Sequence, residues 1–425
     1  MKTTAWRIAR IALAGILLVA ALIAPSAAGG PVRISFWHGM SGVLLPAVNE
    51  LTADFNKLNP GIVVDAIYQG NYGVLNQKVI ASVAAGNPPT ITQLFPTWTD
   101  QLIRANAIVP MERFIKGADG LSAEDLNDIF PILRSANTFN GVMWTMPFNK
   151  SLYLLFYNID LFREANVKVP QTWAEFAAAA KALTKVEGGR VTRYGFVIRP
   201  TTDYFTTMML ANGGAFVKDG GKEVAFNSPA GVEALQWLVD LVNKDKVAYV
   251  LPGFADADFA AGKVAMYFAT NPGYSFALAA VGGKFKVGLA PLPYNRSRTT
   301  LLSGTDVAIT SKATPEQQAA AWKYIKFITG TNGTARWSLR TFYMPVRRSG
   351  RDSTLMRVFL RDNPEVRAGL DSLEFARTEP SMAEWQEIRD IISDAVEAAL
   401  LGKLSPKDAL DQAAVKANRL LAQRK

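Results

Sequence analysis

The chain contains no cysteine and one histidine, His38. Thiol nucleophiles, disulfide scaffolds, cysteine-ligated zinc and iron–sulfur clusters are therefore excluded, and one imidazole cannot build a multi-histidine metal site. Charged side chains are also sparse, 19% of 425 residues against 49% hydrophobic and 10% aromatic. Disorder needs the opposite balance, so the chain is a folded globular body, long enough for two or three domains or for two interwoven lobes. There is no internal repeat, low-complexity tract, G-x-S-x-G elbow or phosphate loop ending in Lys-Ser/Thr. Serine hydrolysis built on His38 and a nucleotide site both lose their usual supports.

What is present begins with a basic leader. Lys2, Arg7 and Arg10 precede an apolar run from Ile11 to Ala24, followed by Pro25-Ser26-Ala27-Ala28. A charged start, a short apolar stretch and small residues are the marks of a cleavable signal peptide, expected over residues 1–28. The run falls short of the roughly 20 apolar residues a span requires, and the absence of cysteine excludes a lipidated N-terminus. The chain is thus expected in the periplasm. Three of its ten net positive charges belong to the leader, and export makes nucleic acid an unsuitable partner for the rest.

Beyond the leader, strand and helix signals alternate. Val32–Trp37 reads as a strand; Leu44, Val48, Leu51 and Phe55 then form one apolar helical face over 41–57. Asn59-Pro60-Gly61 ends that helix and a strand follows at 62–67. Further strands are expected at 90–95, 151–157, 194–198, 264–269, 286–292 and 306–310. Helices are expected from Asn76, from Thr172 with Glu175 as a capping box, from Ser228-Pro229, from Thr314-Pro315 and from Ser405-Pro406. Trp385, Ile388, Ile392, Ala395 and Ala399 form another helical stripe. This is α/β grammar with too much chain for one small sheet, and two lobes would leave a cleft between them for a small ligand.

Few residues stand above background as chemistry. Carboxylates are plentiful but no pair is marked as a glycosidase acid and nucleophile, and Arg347, Arg348 and Arg351 read as a solvated basic face. Aromatic residues near strand ends and turns are the better signal: Trp37, Tyr68, Tyr72, Trp98, Phe148, Tyr204, Tyr274, Tyr343 and Trp385. Each alone reads as core. Together they suit the C–H faces of a sugar or polyol, with polar neighbours for its hydroxyls.

Several stretches, in order along nearly the whole chain, carry a resemblance: Phe36-Trp37-His38-Gly39-Met40, 55–60, Tyr68-Gln69-Gly70-Asn71-Tyr72, Gly86-Asn87-Pro88-Pro89, Pro147-Phe148-Asn149 into Tyr157-Asn158, Pro170 with Thr172-Trp173, 262–266 and the helix from Ser405. The chain resembles the extracellular solute-binding proteins of ABC importers, within the sugar-binding cluster, and is most similar to the periplasmic glycerol-3-phosphate binders. The resemblance implies a two-lobed α/β fold of the class II type, each lobe a mixed sheet wrapped by helices, with the cleft at the hinge. Lobe 1 is expected at 29–148 plus 271–330 and lobe 2 at 149–270 plus 331–425, with crossings near Asn149, Thr270 and Thr331. It implies a monomer that is no enzyme, needs no cofactor or metal, binds a small carbohydrate or polyol phosphate and docks on permease subunits.

Carried over residue by residue, the resemblance implies ligand contacts at Tyr72, Ser151, Thr270, Gly304 and Tyr343. Trp37, His38 and Tyr204 are added as cleft candidates. Two positions depart: Pro96 stands for a carboxylate that takes hydroxyls, and Ser381 for the arginine that holds phosphate. An enclosed phosphate without a cation bears a desolvation cost on the order of several kcal/mol. Arg377, four residues earlier, fills that role only if its loop is shifted. The sequence therefore places a neutral mono- or oligosaccharide slightly ahead of glycerol 3-phosphate or a glycerophosphodiester, with a secreted glycosidase as the alternative reading.

Overall fold

A computed structural model describes residues 30–218 and 220–423; the expected signal peptide lies outside them. Nine strands organise the chain: β1 (Val32–His38), β2 (Ile62–Tyr68), β3 (Ile91–Leu94), β4 (Met146–Asn158), β5 (Arg190–Ile198), β6 (Ala248–Val250), β7 (Val264–Thr270), β8 (Val287–Ala290) and β9 (Thr300–Ile309). The main path of the sheet runs β2-β1-β3-β9-β4-β7-β5 and ends on the short strand Lys185–Glu187. β1 is parallel to both β2 and β3, and β9 returns antiparallel between β3 and β4. On the other side, β7 and β8 pair antiparallel with β4, while β5 runs parallel to β7 and β6.

β4 joins the two lobes. Its first half, Met146–Leu152, pairs with β9, and its second half, from Tyr153 on, pairs with β7 and β8. Eleven of its thirteen residues are buried, including Asn149, Lys150 and Ser151. That explains why periodicity marked only Ser151–Tyr157: a strand covered on both faces does not alternate, and its polar residues read as a loop. β9 is likewise longer than the expected 306–310, and its register with β4 shifts at Thr305/Asp306, a bulge that bends the ladder where the lobes meet.

Each lobe has its own core. One packs Ile34, Phe36, Phe55, Met146, Phe148, Ile325 and Trp337; the other packs Phe176, Phe196, Phe268, Leu235, Trp385 and Ile392. The second sheet buries its opposite face on Phe156, Tyr267, Tyr274, Ala277, Val287 and Leu289. Two stretches differ from the expected division: 273–290 packs on the second lobe's sheet, and Trp337, Tyr343 and Val346 lie in the first lobe's core. Pairing with the second half of β4 decides the former; a 271 boundary drawn on Asn and Pro alone misses it.

The helix starts follow the sequence closely. Thr172 with Glu175 and Thr314 with Gln317 form both hydrogen bonds of their capping boxes, and Ser228 and Ser405 cap Pro229–Asn243 and Pro406–Ala422. The stripe from Trp385 to Ala399 is buried along one face of Trp385–Leu400. Of the basic triplet, Arg347 departs from the expected solvated face: it is 4% exposed and donates to the carbonyls of Thr329 and Asp125 at 2.7 and 2.6 Å, whereas Arg348 is exposed and Arg351 partly so. No helix among the described residues is long and apolar enough to cross a membrane.

Candidate functional site

Asn71 caps the helix Tyr72–Ala84 by accepting from the Val74 amide at 3.0 Å, which sets Tyr72 on the first turn at the mouth of the interlobe crossing. The Tyr72 hydroxyl accepts from the Asn149 side-chain amide at 2.9 Å and lies 3.4 Å from the Tyr343 hydroxyl. Asn149 in turn accepts from Gln93 at 3.1 Å and from the Thr305 hydroxyl, and Gln93 accepts from the Gly39 amide at 2.9 Å. This network ties β1, β3, β4 and β9 together beneath the cleft. Burial, reinforced by the neighbouring Tyr343, pushes Tyr72 well above the ordinary phenol value. Both tyrosines thus remain neutral hydroxyls.

Tyr72 borders two compartments. One, of about 380 Å³, is largely aromatic: Tyr72, Tyr153, Tyr204, Phe254, Tyr267 and Tyr343 surround it, with Thr270, Arg199 and Asp256 as polar groups. The other, of about 500 Å³, is polar, with Pro96, Lys150, Asp203, Ser303, Gly304, Glu379, Ser381, Arg389 and Asp390 on its walls. Tyr153 and Tyr204 meet edge to face at 6.5 Å between centroids, and the Tyr204 hydroxyl donates to the Phe268 carbonyl, so that ring is held fixed.

Charge is arranged differently in the two. In the polar compartment Arg389 bridges Asp203 at 2.9 Å and Glu379; burial alone would lower its pKa, but the two carboxylates drive it up. Lys150 pairs with Asp306 at 2.8 Å, both essentially without solvent exposure. Burial pushes the Asp306 carboxyl up, against the pull of Lys150. In the aromatic compartment Asp256 accepts from the Tyr267 hydroxyl at 3.2 Å, and burial raises it. Arg199, just past the end of β5, lays its guanidinium 4.3 Å from the Phe254 ring centroid.

The candidates from sequence separate cleanly. Tyr72, Thr270, Tyr204 and Tyr343 line the aromatic compartment and Gly304 the polar one. Gly304 has φ +93°, and a Cβ there would lie 2.0 Å from the Asn149 carbonyl oxygen; only glycine permits that crossing. Ser151 is buried on β4 opposite Ser303, behind the cleft wall. His38 and Trp37 stand on neither compartment. His38 is fully buried, its Nδ1 accepts from the Met40 amide at 3.2 Å, and desolvation lowers its pKa to about 4. Trp37 packs against the satellite cluster of Leu75, Leu94 and Trp98. Arg377 is exposed and donates to the Phe375 and Ala376 carbonyls, because its strand is tied to Thr300–Leu301 outside both compartments.

Of the aromatic set, Phe148, Tyr274 and Trp385 are core and Tyr68 is surface, while Trp98 reaches the polar compartment. Tyr153, Arg199, Phe254 and Asp256 were missed. Tyr153 sits inside a hydrophobic strand run, and Arg199 follows a strand end, an address α/β folds use for ligands; that address was the available signal.

Comparison with known proteins places this geometry. Residues 50–390 match the model of the family described as bacterial extracellular solute-binding protein. The sn-glycerol-3-phosphate-binding periplasmic protein UgpB of Escherichia coli K12 is 26% identical over 409 residues, covering 91% of this chain and 92% of that one. UgpB from Mycobacterium tuberculosis, solved with glycerophosphocholine, superposes with a TM-score of 0.83 at 26% identity, over 93% of this chain and 99% of that one. The GacH receptor of Streptomyces glaucescens has the same two-lobed fold, with a TM-score of 0.81 at 21% identity over 93% of this chain and 100% of that one. The chain belongs to the bacterial extracellular solute-binding protein family.

Proposed function

We propose that this protein is the exported capture component of an ABC importer, holding a carbohydrate-class solute between its lobes and delivering it unchanged to membrane permease subunits. The observation that carries this reading is the pair of adjoining compartments at the β4 and β9 crossings, walled by tyrosines and sharing Tyr72. Aromatic faces suit C–H surfaces of a sugar or polyol, and neutral hydroxyls, amides and carboxylates suit its hydroxyl groups. Tyr72, Thr270, Gly304 and Tyr343 are the proposed contacts, with Ser151 as their support on β4. Residues linking the lobes at Asn149–Leu152 and Leu302–Thr305 would form the hinge.

Within that class two solutes compete. Pro96 and Ser381, at positions where the resemblance implies a carboxylate and an arginine, support a neutral mono- or oligosaccharide. The UgpB relatives support glycerol 3-phosphate or a glycerophosphodiester. A thermal-shift screen of the mature protein against these solutes is the test, since a ligand at about 100 times its dissociation constant adds about 2.7 kcal/mol. Stabilisation with the solute recovered intact is the expected result. Steady turnover would instead establish the glycosidase reading, and no stabilisation by any solute would overturn capture.

A further inference from the structure

The cations at the cleft differ in one respect: whether a carboxylate already holds them. Lys150 is taken by Asp306, and Arg389 by Asp203 and Glu379 together. Arg377 is outside, bonded to backbone carbonyls. Arg199 lines the aromatic compartment, yet no carboxylate among the described residues forms an ion pair with it, and its buried Nε has no hydrogen-bond partner. Asp256 borders the same compartment but takes its hydrogen bond from Tyr267. The contact of Arg199 is with the Phe254 ring, and Phe254 is itself 76% exposed, large and apolar at the rim.

A guanidinium drawn partly out of water without a counter-charge is unfavourable unless a ligand supplies one. Its planar fork of donors matches a phosphate ester in a bidentate way, and the aromatic face shields that contact from water. The neighbouring compartment is the wrong place for an anion: Asp203, Glu379 and Asp390 face it with Arg389 between the first two. Tyr72, Tyr153 and Tyr343 are neutral phenols bordering the Arg199 compartment, and the carboxylate on its wall, Asp256, is engaged by the Tyr267 hydroxyl and pushed toward its neutral form by burial.

Resting on the capture reading above, we propose that Arg199 is the residue that recognises an anionic phosphate ester on the solute, with Phe254 closing over the pair. The polyol part then extends past Tyr72 toward the carboxylates of the polar compartment, which take hydroxyls. This supplies the cation that Ser381 lacks, from the neighbouring compartment and a different sequence position.

The test is calorimetric titration of the mature protein with glycerol 3-phosphate, glycerophosphocholine, glycerol and maltose. For the wild type, phosphate esters are expected to bind and to weaken as salt rises. Arg199→Ala is expected to lose on the order of a hundredfold in phosphate-ester affinity, Arg199→Lys to recover part of it as charge without the fork, and Phe254→Ala to lose about tenfold. An unliganded melting temperature close to wild type shows that each variant is folded. If maltose binds and the phosphate esters do not, the anion assignment is overturned while capture stands. Phosphate-ester binding left intact by Arg199→Ala but abolished by Arg377→Ala would move the role to Arg377 and overturn the assignment. If no solute binds at all, both readings fall.

Discussion

The two compartments flanking Tyr72 have comparable volumes and opposite electrostatic designs. In the polar one, Arg389 is locked between Asp203 and Glu379, joining the helices Thr202–Ala211 and Trp385–Leu400. In the aromatic one, Arg199 lies over a ring and pairs with no carboxylate among the described residues, Asp256 on the same wall being bonded to Tyr267. Two arginines at one cleft thus do different work: a cation with its counter-charges built in holds protein segments together, whereas one without them is available to a ligand. The difference lies in neighbours that are far apart in sequence, and neither arginine is distinguishable from the other by its local residues.

This contrast can be broken by mutation. Arg389→Ala leaves Asp203 and Glu379 facing each other without a cation, and chemical denaturation is expected to show about 3–5 kcal/mol lost. Gly304→Ala drives a Cβ into the Asn149 carbonyl at positive φ; about 3 kcal/mol of destabilisation is expected, together with weakened binding because the crossing strands must shift. Next is acid sensitivity, which belongs to neither compartment. His38 has a folded pKa of about 4 against an ordinary 6.5, so below pH 6.5 the unfolded chain takes up a proton that the folded one refuses. Stability is therefore full above pH 6.5 and falls toward pH 4, by up to about 3 kcal/mol. In His38→Gln the denaturation midpoint should lose that part of its pH dependence. Smallest is Arg199→Ala, expected to change unliganded stability by less than about 1 kcal/mol, within the range of substitutions that break no structural pair. A loss as large as that of Arg389→Ala would dissolve the contrast between the two arginines.

Much of the fold was legible without coordinates. Helix caps at Thr172, Thr314 and Ser405, the apolar face of Leu45–Leu58, and the strands β1, β2 and β7 obey local rules of capping and periodicity that tertiary contacts only reinforce. The site was half legible. Tyr72, Thr270, Gly304 and Tyr343, singled out by resemblance, line the two compartments, whereas Trp37 and His38 turn into the lobe although they share a strand end with Gly39 and Met40 on the aromatic one. Alternation along β1 sends Trp37 and His38 to opposite faces of a sheet packed on both sides, so each meets a core and the cleft begins only past the strand end.

By itself the sequence determined the chemistry that is absent, thiol and multi-histidine work, along with the α/β grammar and the helix starts, because composition, caps and periodicity are local properties. Only the tertiary structure decided how the crossing strands are built and which charges are free. Asn149 and Lys150, ahead of the expected strand start at Ser151, look like a polar loop, yet they are strand interior, satisfied by Tyr72, Gln93 and Asp306 from remote parts of the chain. Whether an arginine is a brace or a ligand contact depends on the same kind of long-range pairing, which no window of residues contains.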